Sequence, residues 1–171
     1  MSNDAFISHA DILAVLPRLR KFAYSLTGNL PDADDLLQNT VERALTRQPP
    51  QHDREALARW LFTVCRNLWI DEIRARKVRG AGDPAPPEAQ DQPDDAQSNP
   101  LDTVAVRELD RAVQALGEEQ RAVLLLVAVE GYDYREAAEL LDIPVGTVMS
   151  RLSRARRRLA EQLGSGNKSS P

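Results

Sequence analysis

Residues 81–103 cannot contribute to a folded core, and they divide the 171-residue chain into two parts. This stretch holds five prolines and six acidic residues, has no lysine or arginine, and has almost no large apolar side chain. Such a segment buries too little apolar surface to offset the entropy that it would lose on ordering. We therefore predict a flexible acidic linker at 81–103 between a first domain at 8–80 and a second domain at 104–163. Residues 164–171 are expected to form a disordered tail.

The first domain has the residue spacing of amphipathic helices. Apolar residues recur three and four positions apart in its first segment, which Gly28 should end. Pro17 lies inside that segment and is expected to kink the helix or to start a new one. A second helix should begin near Pro31, and a third should follow Asp53 as its N-cap and continue to Gly80.

The second domain is also predicted to be helical, so that the fold class is all-α with two small domains. Helices are expected at 104–116 and 118–130, followed by a short helix that starts with the capping-box pair Asp133 and Glu136. A turn and a longer basic helix at 145–163 come next. This order is typical of a helix-turn-helix unit.

The last helix has one apolar stripe and an opposite face rich in serine and arginine. With about 100° per residue, its apolar residues fall within about 60° of Val148. These are Val145, Val148, Leu152, Ala155, Leu159 and Leu163. Ser150, Ser153, Arg154 and Arg157 lie on the other side, where they could reach base edges in a DNA major groove. Arg151, Arg156 and Arg158 flank the stripe, and this position suits contacts with phosphates.

Basic residues cluster in two places although the net charge is −4. Outside the linker, the chain has 22 basic and 20 acidic residues, and the basic residues are concentrated at 66–79 and 145–163. Two basic patches in an acidic chain indicate two polyanion contacts. The alternative is that both are ordinary solvated helix faces.

Several other classes of protein are disfavoured. The longest apolar run, 122–129, has eight residues, too few to span a membrane, and the N-terminus lacks the pattern of a signal peptide. The single cysteine, Cys65, allows no internal disulfide, and we expect it to be an unreactive residue of the core. His9 and His52 are isolated, and no nucleophile–base set stands out. We therefore expect a cytoplasmic, monomeric chain without catalytic activity, metal or cofactor.

Three segments resemble those of bacterial sigma factors of the extracytoplasmic-function (ECF) class. Residues 134–158, with the core Pro-Val-Gly-Thr-Val-Met-Ser-Arg-Leu at 144–152, resemble the domain that reads the −35 promoter element. Residues 32–45 resemble the polymerase-binding segment, and residues 60–74 resemble the segment that reads the −10 element. Features at 19–28 and the methionine at 149 are similar to the general-stress branch of the class.

The resemblance implies that the chain joins core RNA polymerase and directs it to promoter DNA. The polymerase contacts would be a coiled coil of the largest subunit and the flap. Residues implied in binding the coiled coil are Asp34, Asp35, Gln38, Asn39 and Glu42. Residues implied at the −35 element are Thr147, Ser150, Arg151, Ser153, Arg154, Arg157 and Arg158. Residues implied at the −10 element are Arg66, Asn67, Trp69, Arg74, Arg76 and Lys77.

Asn67 and Trp69 have specific implied roles. Asn67 matches the position that helps to hold a flipped base, although an asparagine here could also end a helix. Trp69 lies about 180° from Trp60 on a continuous helix, so Trp69 is expected to be the stacking platform and Trp60 to be core.

The sequence leaves two alternatives to a sigma factor open, and it also suggests how the chain is regulated. A sigma-mimic protein that sequesters an anti-sigma factor would keep the fold but lose the basic reading helix. A stand-alone helix-turn-helix regulator would not need the segments at 32–45 and 60–74. We also expect an anti-sigma factor to control the chain. The linker is either a passive tether or a mimic of nucleic acid in the RNA-exit path.

Overall fold

The computed structural model describes residues 9–47, 53–80 and 100–166, which form seven α-helices and one π-helical segment, without a strand. The all-α fold class is therefore confirmed. Residues 81–99, most of the predicted linker, and residues 167–171 of the predicted tail lie outside the described residues. No helix in the described ranges is long and apolar enough to cross a membrane.

Three helices make up the first domain: α1 (His9–Thr27), α2 (Leu30–Thr46) and α3 (Arg54–Val78). The amide of Asp32 donates to the side chain of Asn29, the N-cap of α2, and the amide of Ala56 donates to Asp53, the N-cap of α3. Gly28 ends α1 with a φ of 75°, a conformation that glycine adopts without a steric penalty.

Two expected interruptions in the first domain are absent. α1 continues through Pro17, and α3 continues through Asn67. The buried residues of α1 include Val15 and Leu19 on either side of the proline. We infer that this packing holds the helix together across the amide hydrogen bond that Pro17 cannot donate.

The second domain contains α4 (Pro100–Gln114), α5 (Glu118–Leu124), α6 (Tyr134–Leu141) and α7 (Val145–Gly166). α4 starts four residues before the predicted start at 104, with a proline at its first position, which suits a helix N-terminus. α7 runs three residues past its predicted end at 163. The predicted capping box of α6 is present, because Asp133 accepts from the Glu136 amide and Glu136 accepts from the Asp133 amide.

α5 changes into a π-helical segment at Leu125–Val129, which the sequence pattern did not indicate. The amide of Glu130 donates to the Leu125 carbonyl at 2.9 Å, five residues back, as in a π-turn. Glu130 and Tyr132 follow directly, and both contact the first domain. The π-helical segment thus lies next to the junction between the two domains.

The two domains pack against each other in one continuous apolar core. Phe62 of α3 lies 4.9 Å from Phe22 of α1 between ring centroids, and its ring meets Tyr132 of the second domain edge-on at 6.2 Å. Arg121 of α5, largely buried, donates 3.0 Å to the Ser25 carbonyl of α1. Apolar and polar contacts therefore hold the second domain on the first.

A polar cluster completes the junction between the domains. Arg18 of α1 donates from Nε to Glu130 Oε2 at 2.6 Å, and from its other nitrogens to Glu55 and to the Tyr132 hydroxyl. The Tyr132 hydroxyl donates in turn to Glu55, and Arg59 pairs with Glu136. The hydrogen bonds from Arg18 lower the pKa of Glu55, so the carboxylate stays charged within this cluster.

Candidate DNA and polymerase interfaces

The predicted reading helix α7 presents its polar face to solvent. Val148, Leu152 and Ala155 are buried against the second domain, as the apolar stripe predicts. Ser150, Ser153, Arg154, Arg157 and Arg158 are exposed, and Thr147 is half-buried. The exposed face begins with Gly146 and Ser150, small residues that let a helix approach base edges closely.

The two end residues of the apolar stripe differ from the prediction, whereas two flanking arginines lie where it placed them. Val145 and Leu163, at the two ends of α7, are 38% and 40% exposed. Arg151 pairs with Glu119 of α5 at 2.8 Å, and Arg158 donates to Gln120 at 3.5 Å. These contacts hold both arginines beside the stripe, where the sequence placed phosphate contacts.

The turn between α6 and α7 sets the direction of α7 relative to α6. Asp142, which ends α6, has a φ of 51°, in the left-handed region that aspartate and asparagine tolerate better than most residues. The amide of Ile143 donates a hydrogen bond to the Ala138 carbonyl at 3.0 Å, and the Val148 amide donates to the Pro144 carbonyl at 3.2 Å. The predicted helix-turn-helix is therefore built with its turn at 142–144.

The five candidate polymerase-binding residues share the exposed face of α2. Asp34, Asp35, Gln38, Asn39 and Glu42 are all exposed, while Leu36, Thr40 and Ala44 of the same helix are buried. Asp34 also accepts two hydrogen bonds from Arg20 at 2.8 and 3.2 Å, which lower its pKa. The result is an acidic, solvent-facing surface.

The candidate −10 residues lie along α3, but they differ in accessibility. Asn67 is exposed and accepts from Arg66 at 3.1 Å, and Arg74 and Lys77 are also exposed. Arg76 is half-buried and pairs with Glu72 at 2.9 Å. Arg66 lies 3.8 Å from Asp142 of the second domain, and burial lowers the pKa of its guanidinium.

The prediction that Trp69 is an exposed stacking platform is wrong for this structure. Its side chain is 7% exposed, and its indole N–H donates to Glu118 of the second domain at 3.4 Å. The guanidinium of Arg76 lies 5.5 Å from the centroid of the Trp69 ring. Trp69 follows the buried Leu61 and Cys65 at intervals of four residues, so the three side chains share the core-facing stripe of α3. Trp60 is half-buried against the core, as expected.

Cys65 lies in the core of the first domain, as expected. Its thiol is buried, and burial raises its pKa to about 12. A thiol with so high a pKa is almost wholly protonated near neutral pH, which makes it a poor nucleophile.

The sequence did not identify the residues that join the domains. Arg18, Glu55, Arg59, Glu130 and Tyr132 meet across separations of up to 114 positions along the chain. Arg121 had one available signal, since it is a charged residue directly before the longest apolar run. A buried guanidinium needs carbonyl partners, and it finds them at Ser25, Gln114 and Leu116.

Comparisons with known proteins agree with this architecture. The family profile of Sigma-70 region 2 matches residues 12–79, and that of Sigma-70 region 4 matches residues 106–159. The chain is 39% identical to the ECF RNA polymerase sigma factor EcfG of Rhodopseudomonas palustris over 155 residues, which covers 90% of this chain and 83% of that protein.

Solved structures show the same fold. The chain matches the sigma factor RpoE, solved in complex with the anti-sigma factor NepR from Bartonella quintana. The TM-score is 0.73 at 32% identity, over 91% of this chain and 95% of that chain. The anti-anti-sigma factor PhyR of the same organism shares the fold alone, at 19% identity with a TM-score of 0.54, over 90% of this chain and 49% of that chain.

The fold and the two matched regions define a transcription initiation factor of the sigma-70 type. The chain belongs to the ECF RNA polymerase sigma factors.

Proposed function

We propose that this sigma factor binds core RNA polymerase through the acidic face of α2 and reads −10 and −35 promoter elements with α3 and α7. The observation that carries the proposal is the reading helix, whose buried stripe leaves the serine and arginine face of α7 in solvent. The partners are the coiled coil of the largest subunit, the flap and promoter DNA. This activity takes place in the cytoplasm and needs no cofactor.

Run-off transcription tests this function directly. The purified chain and core polymerase are incubated with a library of genomic promoter fragments. We expect discrete transcripts that require both proteins and map to a shared pair of −10 and −35 sequences. A sigma mimic or a stand-alone regulator would give no transcripts from core polymerase, and that result would contradict the proposal.

Reversing two charges on α2 should separate polymerase binding from DNA binding. Asp35→Lys with Glu42→Lys should weaken binding to core polymerase at least about tenfold, because the reversal removes the negative charge that the proposed interface presents to its partner. The same variant should bind a −35 duplex at least as tightly as the parent chain, because α7 is unchanged. Both affinities can be measured by fluorescence anisotropy. Unchanged affinity for core polymerase would show that the face of α2 is assigned wrongly.

Asn67→Ala should reduce promoter opening without disturbing the fold. Asn67 is exposed, and within the described ranges its side chain accepts from Arg66 of the same helix, so its loss removes no partner from a buried group there. Losing about 1–2 kcal/mol of base-binding energy should lower the open-complex fraction about 5–30-fold where opening is marginal. Permanganate reactivity of −10 thymines measures this fraction. Gln162→Ala, another exposed amide, is the control, and equal reactivity in both variants would remove Asn67 from the site.

We further propose that an anti-sigma factor controls the chain. The structural relative RpoE was solved with such a partner, and it covers nearly all of this chain at 32% identity. The mimic alternative is not favoured, because the likeness to PhyR is one of fold alone, while the reading helix here keeps its arginines.

A further inference from the structure

Met149 is a large apolar side chain that α7 leaves in solvent. It is 53% exposed, more than Val145 or Leu163 of the same helix, and no role assigned so far uses it. A single exposed apolar residue is ordinary on a protein surface. The position of Met149 on α7 therefore decides what the side chain can do.

Met149 lies at the edge of the serine and arginine face of α7, near the start of the helix. Around the helix axis it is about 40° from Ser153 and about 60° from Gly146. Both of these residues are exposed, and each is one turn away from Met149 along the helix. The N-terminal part of a recognition helix is the part that contacts base edges. A group bound against Gly146 and Ser153 therefore also meets Met149.

The charges of α7 favour DNA as the partner that covers Met149. Residues 145–160 hold five arginines and no acidic residue. The acidic residues nearest in sequence are Asp142, which precedes α7, and Glu161, which lies about three turns beyond Met149. A surface with this excess of positive charge attracts a polyanion. The apolar side chain thus belongs to the same surface as the proposed −35 contacts.

The major groove offers one chemical group that matches a methionine. Base edges present hydrogen-bond donors and acceptors there, and the C5 methyl of thymine is the apolar group among them. A thioether donates no hydrogen bond and accepts only weakly, whereas its unbranched chain packs readily against a methyl group. Against the amino group of cytosine, the same side chain would leave a polar group without a partner. Met149 is therefore suited to a thymine methyl.

We propose that Met149 is a specificity-determining residue that packs against the C5 methyl of a thymine in the −35 element. The contact adds a preference for a T·A pair at one position to the base contacts assigned to Ser150 and Arg154. Because this role rests on the −35 reading by α7 proposed above, its test must distinguish the failure of one from the failure of the other.

Removing single methyl groups from the DNA provides that test. The probe is a labelled −35 duplex of a promoter found by run-off transcription, in which each thymine of either strand is replaced in turn by uracil. Uracil lacks the C5 methyl and keeps every hydrogen-bonding group of thymine. At one thymine, the replacement should weaken binding of the full chain about fourfold, which corresponds to the burial of one methyl-sized group. Fluorescence anisotropy measures the affinities.

Variants of the protein then assign the methyl contact to one residue. Met149→Ala should bind the thymine and uracil duplexes equally well at that position, because the side chain that packs against the methyl is gone. Met149→Leu keeps an apolar side chain of similar volume and should retain most of the difference. Leu109→Ala is the control, since it removes another exposed apolar side chain, from α4 of the same domain, and should retain the full difference. Thermal melts show that each variant is folded.

Each outcome has a defined meaning. If the parent chain shows no uracil effect, or if Met149→Ala keeps the whole effect, the methyl contact is overturned while the −35 reading stands. If the parent chain binds no −35 duplex, the −35 reading is overturned, and the methyl contact with it. Weaker binding of Met149→Ala to core polymerase, with unchanged binding to every duplex, would show a protein contact and would contradict the proposal.

Discussion

Replacing Phe62 by alanine should lower the free energy of unfolding by about 3–5 kcal/mol, as deletion of a fully buried aromatic ring does. The ring has no exposed surface and lies between Phe22, Tyr132 and the guanidinium of Arg18. The cavity would therefore open at the junction of the domains. Urea unfolding followed by circular dichroism measures the loss.

Val78→Ala is the matched control for the Phe62 variant. Val78 lies on the same helix and is 88% exposed, so its truncation should change stability by less than about 0.5 kcal/mol. If Phe62→Ala were as mild as the control, the packing of this ring between the two domains would contribute little to stability.

Arg154→Ala and Arg158→Ala should weaken DNA binding in different ways. Arg154 lies on the exposed face of α7, where loss of a two-bond contact to guanine should cost about 1–3 kcal/mol and relax preference at one −35 base pair. Arg158, beside Gln120, is the predicted phosphate contact. Its loss should weaken binding to all sequences about equally and reduce the salt slope by about one.

The two arginine variants serve as controls for each other. Both remove the same side chain from the same helix, so a difference reflects position alone. The assay is binding of the full chain to −35 duplex variants at several salt concentrations, with thermal melts alongside. Identical salt slopes and uniform losses for both variants would contradict the division between base and phosphate contacts.

Local patterns predicted the helices and most of their ends. The caps of α3 and α6 can be identified in the sequence because each acts over at most three residues. Asp53, Asp133 and Glu136 all accept hydrogen bonds from backbone amides that close. Helical periodicity likewise identified the buried residues Val148 and Leu152, because one helix has one core-facing stripe. Pro17 and Asn67 were overestimated as helix breakers, since neighbouring packing outweighs a single unfavourable residue.

The exposed candidate residues were predicted by the same means. Asp35 and Glu42 on α2, and Ser150 and Arg154 on α7, lie opposite buried positions of their own helices. Helical periodicity alone predicted their exposure, whereas the roles assigned to them remain proposals that the experiments above test.

The sequence by itself determined the all-α fold, the helix-turn-helix and the exposed faces of α2 and α7, because these depend on contacts within a few residues. Only the tertiary structure decided that Trp69 is covered, that Arg66 meets Asp142 and that Arg18 joins Glu130. These contacts link residues 49 to 112 positions apart. Periodicity describes one helix at a time, so it cannot show which neighbouring domain occupies the outer side of that helix.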